Sequence, residues 1–175
     1  INIVLTNKLS MLAANIISEK VPPLKTTDTC EKAMEWFYEF KTDHLPVVEN
    51  REYKGLLSEQ EILDFNSPED SLENYSTALQ RPFVFEDAHI YEVIGKVTEL
   101  QLSMMPVLDN DGMYLGLVTQ SSLLAYFAET SSIVGEGGII VIELNSINDY
   151  SLAEISRLIE AEGAKILSLF SDYIN

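Results

Sequence analysis

The sequence is poor in cysteine, histidine and basic residues, and each shortage excludes a class of function. Its 175 residues include one cysteine and two histidines, so neither an internal disulfide nor a thiolate metal cluster can form. Only 11 Lys and Arg stand against 28 Asp and Glu, which gives a formal net charge of −17 at pH 7. Nucleic acids and anionic lipid surfaces are recognised through clusters of basic residues, so neither is an expected partner.

Long apolar runs and leader sequences are missing as well. No stretch approaches the roughly 20 residues of a membrane-spanning helix, and the first residues lack the basic-then-apolar order of a signal peptide. We therefore expect a cytoplasmic protein outside the membrane. The hydrophobic content of 46% is typical of a globular chain. Motifs for serine nucleophiles, phosphate loops, dinucleotides and zinc are absent, so we do not expect an enzyme.

What the sequence does contain is an internal repeat. When the chain is shifted by 60 residues, the apolar stripe of residues 30–40 coincides with that of residues 90–100, each with the spacing of one helix face. Two further segments recur: Leu45-Pro46-Val47-Val48 corresponds to Met105-Pro106-Val107-Leu108, and Gly55-Leu56-Leu57-Ser58 corresponds to Gly116-Leu117-Val118-Thr119. We therefore interpret most of the chain as two copies of one structural unit.

Each copy is predicted to form a short strand, a helix, a hairpin of two strands and a second helix. Leu24 and Phe83-Val84-Phe85 form the cores of the short opening strands. Asp28 and Asp87 precede the apolar stripes, where a carboxylate can cap the following helix. A polar and acidic segment, residues 67–77, separates the copies and is typical of a linker.

The two copies resemble the cystathionine β-synthase (CBS) motif, and the tandem resembles a CBS pair, or Bateman module. The two Pro-Val strands and the two glycine-apolar-apolar-hydroxyl segments given above are the basis of this resemblance. It implies an α/β (α+β) fold with pseudo-twofold symmetry, in which motifs at residues 10–66 and 78–130 flank the linker at 67–77. It also implies a homodimer and, as in many members, regulatory binding of an adenine nucleotide in a cleft between the motifs.

The ribose-and-phosphate signature of that family is a glycine, two apolar residues, Ser or Thr, two variable residues and an Asp. In the family the hydroxyl donates to a phosphate, and the carboxylate accepts from the ribose hydroxyls. The first copy, GLLSEQE, has Ser58 at the hydroxyl position and Glu61 in place of the Asp. The second copy, GLVTQSS, keeps Thr119 but has Ser122 in place of the carboxylate. The first copy is therefore expected to supply the better site.

The candidate ligand residues follow from the same resemblance. No bound cofactor is required, and the implied regulatory ligand is AMP, ADP, ATP or S-adenosylmethionine. A phosphate would meet its nearest cations in the first copy, where Lys41, His44 and Arg51 flank the hairpin, because residues 1–66 have a net charge of −4 and residues 67–175 one of −13. The expected cleft residues are Pro23, His44, Leu45, Pro46, Ser58, Glu61, Met105, Pro106, Thr119 and Ser122.

Each main candidate also has a purely structural interpretation. Ser58 and Thr119 are equally suited to cap helices, and Glu61 to complete a capping box with Ser58. His44 is also explained as a surface histidine, and Met105 as a core residue that fills gaps. Cys30 belongs to an apolar stripe and is interpreted as a small buried hydrophobe rather than a nucleophile.

The last segment, residues 137–175, is predicted to form a βαβ unit. An apolar strand at Ile139 to Leu144 is followed by a helix that Ser151 opens with capping-box spacing and Gly163 ends. A second strand follows at Lys165 to Phe170. This order resembles the first half of a ferredoxin-like ACT domain, and a CBS pair followed by such a unit is similar to the acetoin-utilisation type of CBS protein.

This ACT-like segment departs from the family in two respects. The loop at residues 145–150 lacks the glycine through which ACT domains commonly contact an amino acid. A lone βαβ unit also cannot cover its own sheet edges. We therefore expect the chain to continue past Asn175 or a partner chain to complete the sheet.

Three functional interpretations are compatible with these patterns. The first is a non-enzymatic sensor in which ligand binding changes the cleft geometry and the change passes through the dimer. The second is a degenerate CBS pair that serves only as a dimerisation scaffold. The third is an enzyme that holds a divalent metal on its acidic surface. The abundance of carboxylates is the only feature of the sequence that supports this interpretation.

Overall fold

The computed structural model of the protein describes residues 11–64, 67–75, 79–130, 138–143 and 151–169. Its contacts divide the chain into two compact units, Ile1–Leu124 and Ala125–Asn175. The first unit contains both hairpins of the repeat and combines helices with small sheets, as the sequence predicts. In the described part of the chain, no helix has the length and apolar character needed to cross a membrane.

The first repeat is a two-stranded sheet that one helix precedes and another follows along the chain. Helix α1 spans Cys30–Phe40, strands β1 and β2 span His44–Glu49 and Glu52–Ser58, and helix α2 spans Glu59–Leu63. The strands form the expected antiparallel hairpin. The last residue of β2, Ser58, is also the N-cap of α2.

The second repeat has the same order and one additional paired strand. Strand β3 spans Val84–Phe85, helix α3 spans Ile90–Glu99, β4 and β5 span Met104–Leu108 and Tyr114–Thr119, and helix α4 spans Gln120–Thr130. The sheet order is β3-β4-β5, with β3 parallel and β5 antiparallel to β4.

The opening segments of the two repeats occupy equivalent places. Leu24 pairs in parallel with Val47 as an isolated bridge, and Val84 pairs in parallel with Val107. Both residues of the second pair follow those of the first by 60 positions, the shift that relates the two sequences. The opening strand expected around Leu24 is therefore shortened to a single bridge, while its counterpart is long enough to count as a strand.

Each repeat also contributes backbone to the sheet of the other. The Ser18 N–H donates to the Leu117 carbonyl of β5 at 2.7 Å, and the Leu56 N–H of β2 donates to the Gln80 carbonyl at 2.8 Å. Sheet hydrogen bonds therefore join the repeats reciprocally. This exchange brings the residues before β3 to the end of the first repeat where β2 meets α2.

Two glycines permit this exchange. A Cβ atom added at Gly55 would overlap the side chain of Leu79, and one added at Gly116 would overlap the side chain of Ile17. The two glycines are equivalent in the repeat, and each faces backbone arriving from the other repeat. The glycine of each GLxx segment is therefore required by close packing, independently of any ligand.

The predicted helix faces form the core of the first unit. Each fully buried Leu, Val, Ile or Met side chain is worth about 1.5–3 kcal/mol relative to exposure. The buried cluster of the first repeat joins one face of α1 to both strands and consists of Leu24, Cys30, Ala33, Phe37, Leu45, Val47, Leu57, Ile62, Leu72 and Leu79. Its presence confirms the helical interpretation of the apolar stripe.

The helix caps differ from the sequence prediction by one or two positions. Thr29, not Asp28, is the N-cap of α1, and its side chain accepts from the Lys32 N–H. Asp28 instead accepts from the Lys25 N–H and from Lys32 Nζ. His89, not Asp87, caps α3. An N-cap must directly precede the first helical residue. Helix α1 begins one residue later than Asp28 allows, and α3 begins two residues later than Asp87 allows.

The segment predicted to be a linker packs against the first repeat. Cys30 and Glu31, at the start of α1, donate backbone hydrogen bonds to the Asp70 and Pro68 carbonyls at 3.0 and 2.8 Å. Leu72 is fully buried in the core cluster. This packing could not be predicted from the polar composition of the segment, because the packing depends on backbone hydrogen bonds and on a single leucine. Residues 76–78 lie outside the described residues.

In the second unit, only the helix of the expected βαβ arrangement is present among the described residues. Helix α5 spans Leu152–Ala161, with Ser151 accepting from the Glu154 N–H and Gly163 at a φ of 80° just after the end. Residues 138–143 and 164–169 form no strand, which corrects the prediction. A strand needs a paired neighbour, and the two predicted strands would not be adjacent in the ferredoxin-like order. Leu144, the 145–150 loop and Phe170 lie outside the described residues.

Candidate functional site

A cavity of about 430 Å³ opens where the first repeat meets the segments exchanged from the second. The start of β1, the end of β2 and the first turn of α2 form one side, and the connections before β3 and after α3 form the other. The residues that line it are Asp43, His44, Leu56, Ser58, Glu59, Gln60, Glu61, Gln80, Pro82, Leu100, Gln101 and Leu102. The volume lies in the range of small-molecule sites.

Ser58 and Glu61 satisfy each other on the wall of this cavity. Glu61 Oε2 accepts from the backbone N–H and from the hydroxyl of Ser58, both at 2.8 Å, while Ser58 Oγ accepts from the Glu61 N–H at 3.1 Å. This is the reciprocal capping box that the sequence spacing predicts. The Ser58 hydroxyl therefore donates to Glu61 in this arrangement, and a ligand hydroxyl or phosphate would have to compete for these groups.

His44 connects the two repeats at the same cavity. Its Nδ1 accepts from the Ser103 N–H at 3.3 Å and lies 3.0 Å from the Ser103 hydroxyl. The Thr42 hydroxyl is also 3.0 Å from the Ser103 hydroxyl. Burial lowers the pKa of His44 below its ordinary 6.5, although Asp43 and Glu61 act in the opposite direction. His44 is therefore a half-buried, hydrogen-bonded group rather than a surface histidine.

The cavity is acidic. Asp43, Glu59 and Glu61 line it, and its lining includes no Lys or Arg. The first-repeat cations expected near a phosphate lie elsewhere: Arg51 Nη2 is 3.9 Å from Asp109 at the hairpin tip, and Lys41 is the C-cap of α1. Nearby carboxylates repel an anion, so this cavity by itself favours a neutral group over an anion.

Basic residues line a neighbouring cavity of about 340 Å³. Its walls are Arg81, Pro82, Phe83, Lys96, Glu99 and Leu100. Pro82 and Leu100 belong to both cavities, so the acidic and the basic cavity adjoin. Arg81 is held there by a hydrogen bond of 2.7 Å from its Nε to the Lys54 carbonyl.

At the equivalent position in the second repeat, Thr119 and Ser122 hydrogen-bond to each other. Thr119 Oγ1 accepts from the Ser122 N–H at 3.1 Å, and Ser122 Oγ accepts from the Thr119 N–H at 3.0 Å. Ser122 thus takes the capping role of Glu61, although the sequence predicted a reciprocal cap in the first copy only. Met104, which corresponds to His44, is fully buried. This site offers neither a carboxylate nor an imidazole.

Comparison with known proteins decides the family. A family model described as the CBS domain matches residues 13–67 and 79–129, more than half of the chain. The chain belongs to the CBS-domain family. Both copies match, so the unit is a tandem CBS pair, and a regulatory role fits this family.

Solved structures show the same fold. A CBS domain pair/ACT domain protein from Thermotoga maritima has a TM-score of 0.60 and 20% sequence identity, with 68% of this chain and 98% of that chain covered. The protein CBSX2, in a structure with AMP, has a TM-score of 0.54 and 19% identity, with 67% of this chain and 96% of that chain covered. At such identities the likeness concerns the CBS fold alone.

A curated relative extends well beyond the CBS pair. A homoserine O-acetyltransferase from Methanococcus vannielii is 23% identical over 117 residues, which are 64% of this chain and 24% of that protein. The chain thus spans about a quarter of the length of this relative. Its name therefore does not assign catalysis to the CBS pair described here.

The structure gathers only part of the predicted cleft at one cavity. His44, Ser58 and Glu61 line the acidic cavity of the CBS pair, and Pro23 is exposed beside the Leu24 bridge. Of the remaining six predicted residues, four are buried in strands β1 and β4, and two lie at the start of α4. They are Leu45, Pro46, Met105 and Pro106 in the strands, and Thr119 and Ser122 at the helix.

Several lining residues were missed by sequence reasoning. Gln80, Pro82, Gln101 and Leu102 belong to the second repeat in sequence but line the cavity of the first. Pro82 follows Pro22 by 60 residues, so the sequence identified the two prolines as equivalent positions of the repeat. This equivalence did not reveal that the exchanged backbone of Gln80 would bring this segment to the first repeat. Among the described residues, no group of three or more His, Cys, Asp and Glu could hold a metal ion.

Proposed function

We propose that the protein is a cytoplasmic, non-enzymatic regulatory CBS pair that binds an adenosine-containing ligand at its first repeat. The observation that supports this most directly is that His44, Ser58 and Glu61 line one cavity of suitable size. Glu61 replaces the Asp of the family signature and can still accept from ribose hydroxyls. AMP, ADP, ATP and S-adenosylmethionine are the candidate ligands, and the AMP complex of CBSX2 supports the adenine nucleotides.

In the proposed regulatory mechanism, a bound ligand replaces hydrogen bonds that the cavity residues make with each other. A ribose hydroxyl that donates to Glu61 competes with the two hydrogen bonds that this carboxylate accepts from Ser58. His44 is bonded across to Ser103 of the second repeat, so a ligand touching its ring also acts on the connection between the repeats. A ligand shifts such an equilibrium only by its difference in affinity for the two arrangements.

The test is ligand-induced stabilisation with matched variants of the two repeats. AMP, ADP, ATP, S-adenosylmethionine and adenosine are each titrated while thermal unfolding is followed. A ligand at 100 times its dissociation constant stabilises the folded state by about 2.7 kcal/mol. Ser58→Ala and Glu61→Ala should reduce the stabilisation, whereas Thr119→Ala and Ser122→Ala in the second repeat should leave it intact. Equal effects in both repeats would place the ligand elsewhere.

The homodimer is proposed from two equivalent exposed leucines. Leu63 and Leu124 follow the buried Ile62 and Leu123 in the two repeats, and each is 71% exposed. A twofold repetition of an exposed leucine is suited to a symmetric contact between CBS pairs. Analytical ultracentrifugation of wild type, Leu63→Lys and Leu124→Lys tests this. A dimer that both variants weaken supports the proposal, and unchanged association excludes this surface.

A scaffold without ligand is the second candidate. It is favoured by the mutual satisfaction of Ser58 and Glu61 and by the acidic lining, because no group of the cleft then requires a ligand. The same titrations distinguish the two functions. A dimer that no adenosine compound stabilises would establish the scaffold and exclude the sensor.

A further inference from the structure

We infer that Arg81 and Lys96, in the basic cavity beside the first-repeat cleft, bind the phosphate of the ligand whose nucleoside occupies the acidic cavity. This inference rests on the proposed function and assigns a phosphate subsite to the second repeat. The cations flanking the first-repeat hairpin, Lys41 and Arg51, would then have no role in binding.

The argument begins with the charge of the acidic cavity. A phosphate beside Asp43, Glu59 and Glu61 would meet repulsion, since like charges within a few ångströms interact unfavourably even near a protein surface. The Ser58 hydroxyl, the phosphate donor of the family signature, is directed to Glu61 Oε2 at 2.8 Å. The acidic cavity therefore offers acceptors for a sugar but poor partners for an anion.

The basic cavity supplies the missing donors. Arg81 and Lys96 line it together with one carboxylate, Glu99, and its walls at Pro82 and Leu100 are shared with the acidic cavity. A ligand that crosses this shared rim can place its nucleoside on one side and its phosphate on the other. The shared walls are apolar, so the rim itself adds no competing charge.

Contacts within the protein hold both cations at the cavity. Arg81 Nε donates to the Lys54 carbonyl at 2.7 Å, which holds the guanidinium through one edge and directs its terminal nitrogens, the fork that suits a phosphate, away from that bond. Glu52 is close enough to interact with Arg81 electrostatically, so a phosphate must compete with this carboxylate. Lys96 Nζ donates to the Phe83 carbonyl at 3.2 Å and lies 3.1 Å from Glu92. These partners fix the lysine near the segment that leads into β3, although a phosphate must compete with Glu92 for it.

The test compares ligands with and without phosphate on charge-removed variants. Calorimetric titrations use adenosine, AMP and ADP on wild type, Arg81→Gln, Lys96→Gln and the double variant. We expect each single variant to weaken AMP and ADP binding by about tenfold, the size of a charge-assisted hydrogen bond, and to leave adenosine binding unchanged. Added salt should weaken AMP binding to wild type more than to the double variant.

Two control variants remove cations of the first repeat. Lys41→Gln and Arg51→Gln change the net charge equally and should bind AMP as wild type does. If Arg81→Gln and Lys96→Gln bind AMP with wild-type affinity while adenosine still binds, the phosphate subsite is excluded and the proposed function stands. If Ser58→Ala or Glu61→Ala weakens AMP and adenosine equally, the nucleoside assignment is supported separately. If neither adenosine nor a nucleotide binds to wild type, both proposals are overturned.

Discussion

His44 of the first repeat accepts a hydrogen bond at its Nδ1 from the backbone N–H of Ser103 in the second. The N–H can only donate, so the neutral ring carries its proton on Nε2. A proton on Nδ1 would break this bond, and burial further disfavours the charged ring. This link between the two CBS motifs therefore depends on a His44 ring that carries no proton on Nδ1.

This relationship predicts a pH dependence of stability. The pKa of His44 is lower in the folded protein than its ordinary 6.5, so the unfolded chain binds the proton more readily. The contribution of His44 to the free energy of unfolding is then complete above pH 6.5 and declines as the pH falls toward the folded pKa. Nuclear magnetic resonance titration of the ring should give a midpoint below 6.5. A midpoint at or above 6.5 would contradict the assignment, and His44→Gln should flatten the pH dependence of urea unfolding.

The exchange of backbone between the repeats predicts opposite effects of the same substitution at different glycines. Gly55→Ala and Gly116→Ala introduce a Cβ that overlaps Leu79 and Ile17, and overpacking of this kind costs about 1–3 kcal/mol. Gly95→Ala is the control, because it lies in α3 with no atom within 4 Å of the added Cβ. It should stabilise the protein by about 0.5–1 kcal/mol. Denaturant unfolding of the three variants measures these changes, and a neutral Gly55→Ala would refute the close approach.

The capping box of α2 predicts that the hydrogen-bonding geometry of Glu61, rather than its charge, stabilises the first turn of the helix. Ser58→Ala should cost about 1 kcal/mol of stability, the usual value of an N-cap. Glu61→Gln should cost little, because glutamine also completes a capping box. The same Glu61→Gln removes the charge facing the cavity. If Glu61→Gln destabilises as much as Ser58→Ala, the carboxylate charge rather than the cap geometry stabilises this turn.

The position of Cys30 predicts that its thiol is protected in the folded protein. The residue is 2% exposed in the first-repeat core, and burial, with a smaller contribution from Asp70, raises the pKa of the thiol. Reaction with a thiol reagent needs the thiolate and access, so labelling should be slow in buffer and fast in denaturant. Rapid stoichiometric labelling of native protein would show that α1 opens locally. Cys30→Ser should destabilise the core, because it buries a hydroxyl.

Local features of the fold were readable from the sequence because each depends on neighbours along the chain. The apolar stripe containing Ala33 and Phe37 fixed a helix and its buried face, and the spacing of Ser58 and Glu61 fixed a capping box. The 61-residue relation between Gly55 and Gly116 identified the repeat. The tail behaved differently: its helix formed, but its apolar segments had no neighbouring strand in the described residues and stayed irregular.

The composition of the cleft depended on tertiary structure. The sequence by itself determined that most of the chain is two copies of one structural unit, because the apolar periodicity and the proline and glycine segments repeat along the chain, and these copies resemble the CBS motif. Only the exchange of backbone between the repeats decided which residues share a cavity: it placed Gln80 and Pro82 beside Ser58, with Arg81 in the adjoining cavity. Residues about 20 positions or more apart along the chain meet there through hydrogen bonds between backbone groups, which every residue type except the N–H of proline can supply. No local sequence pattern could therefore predict these contacts.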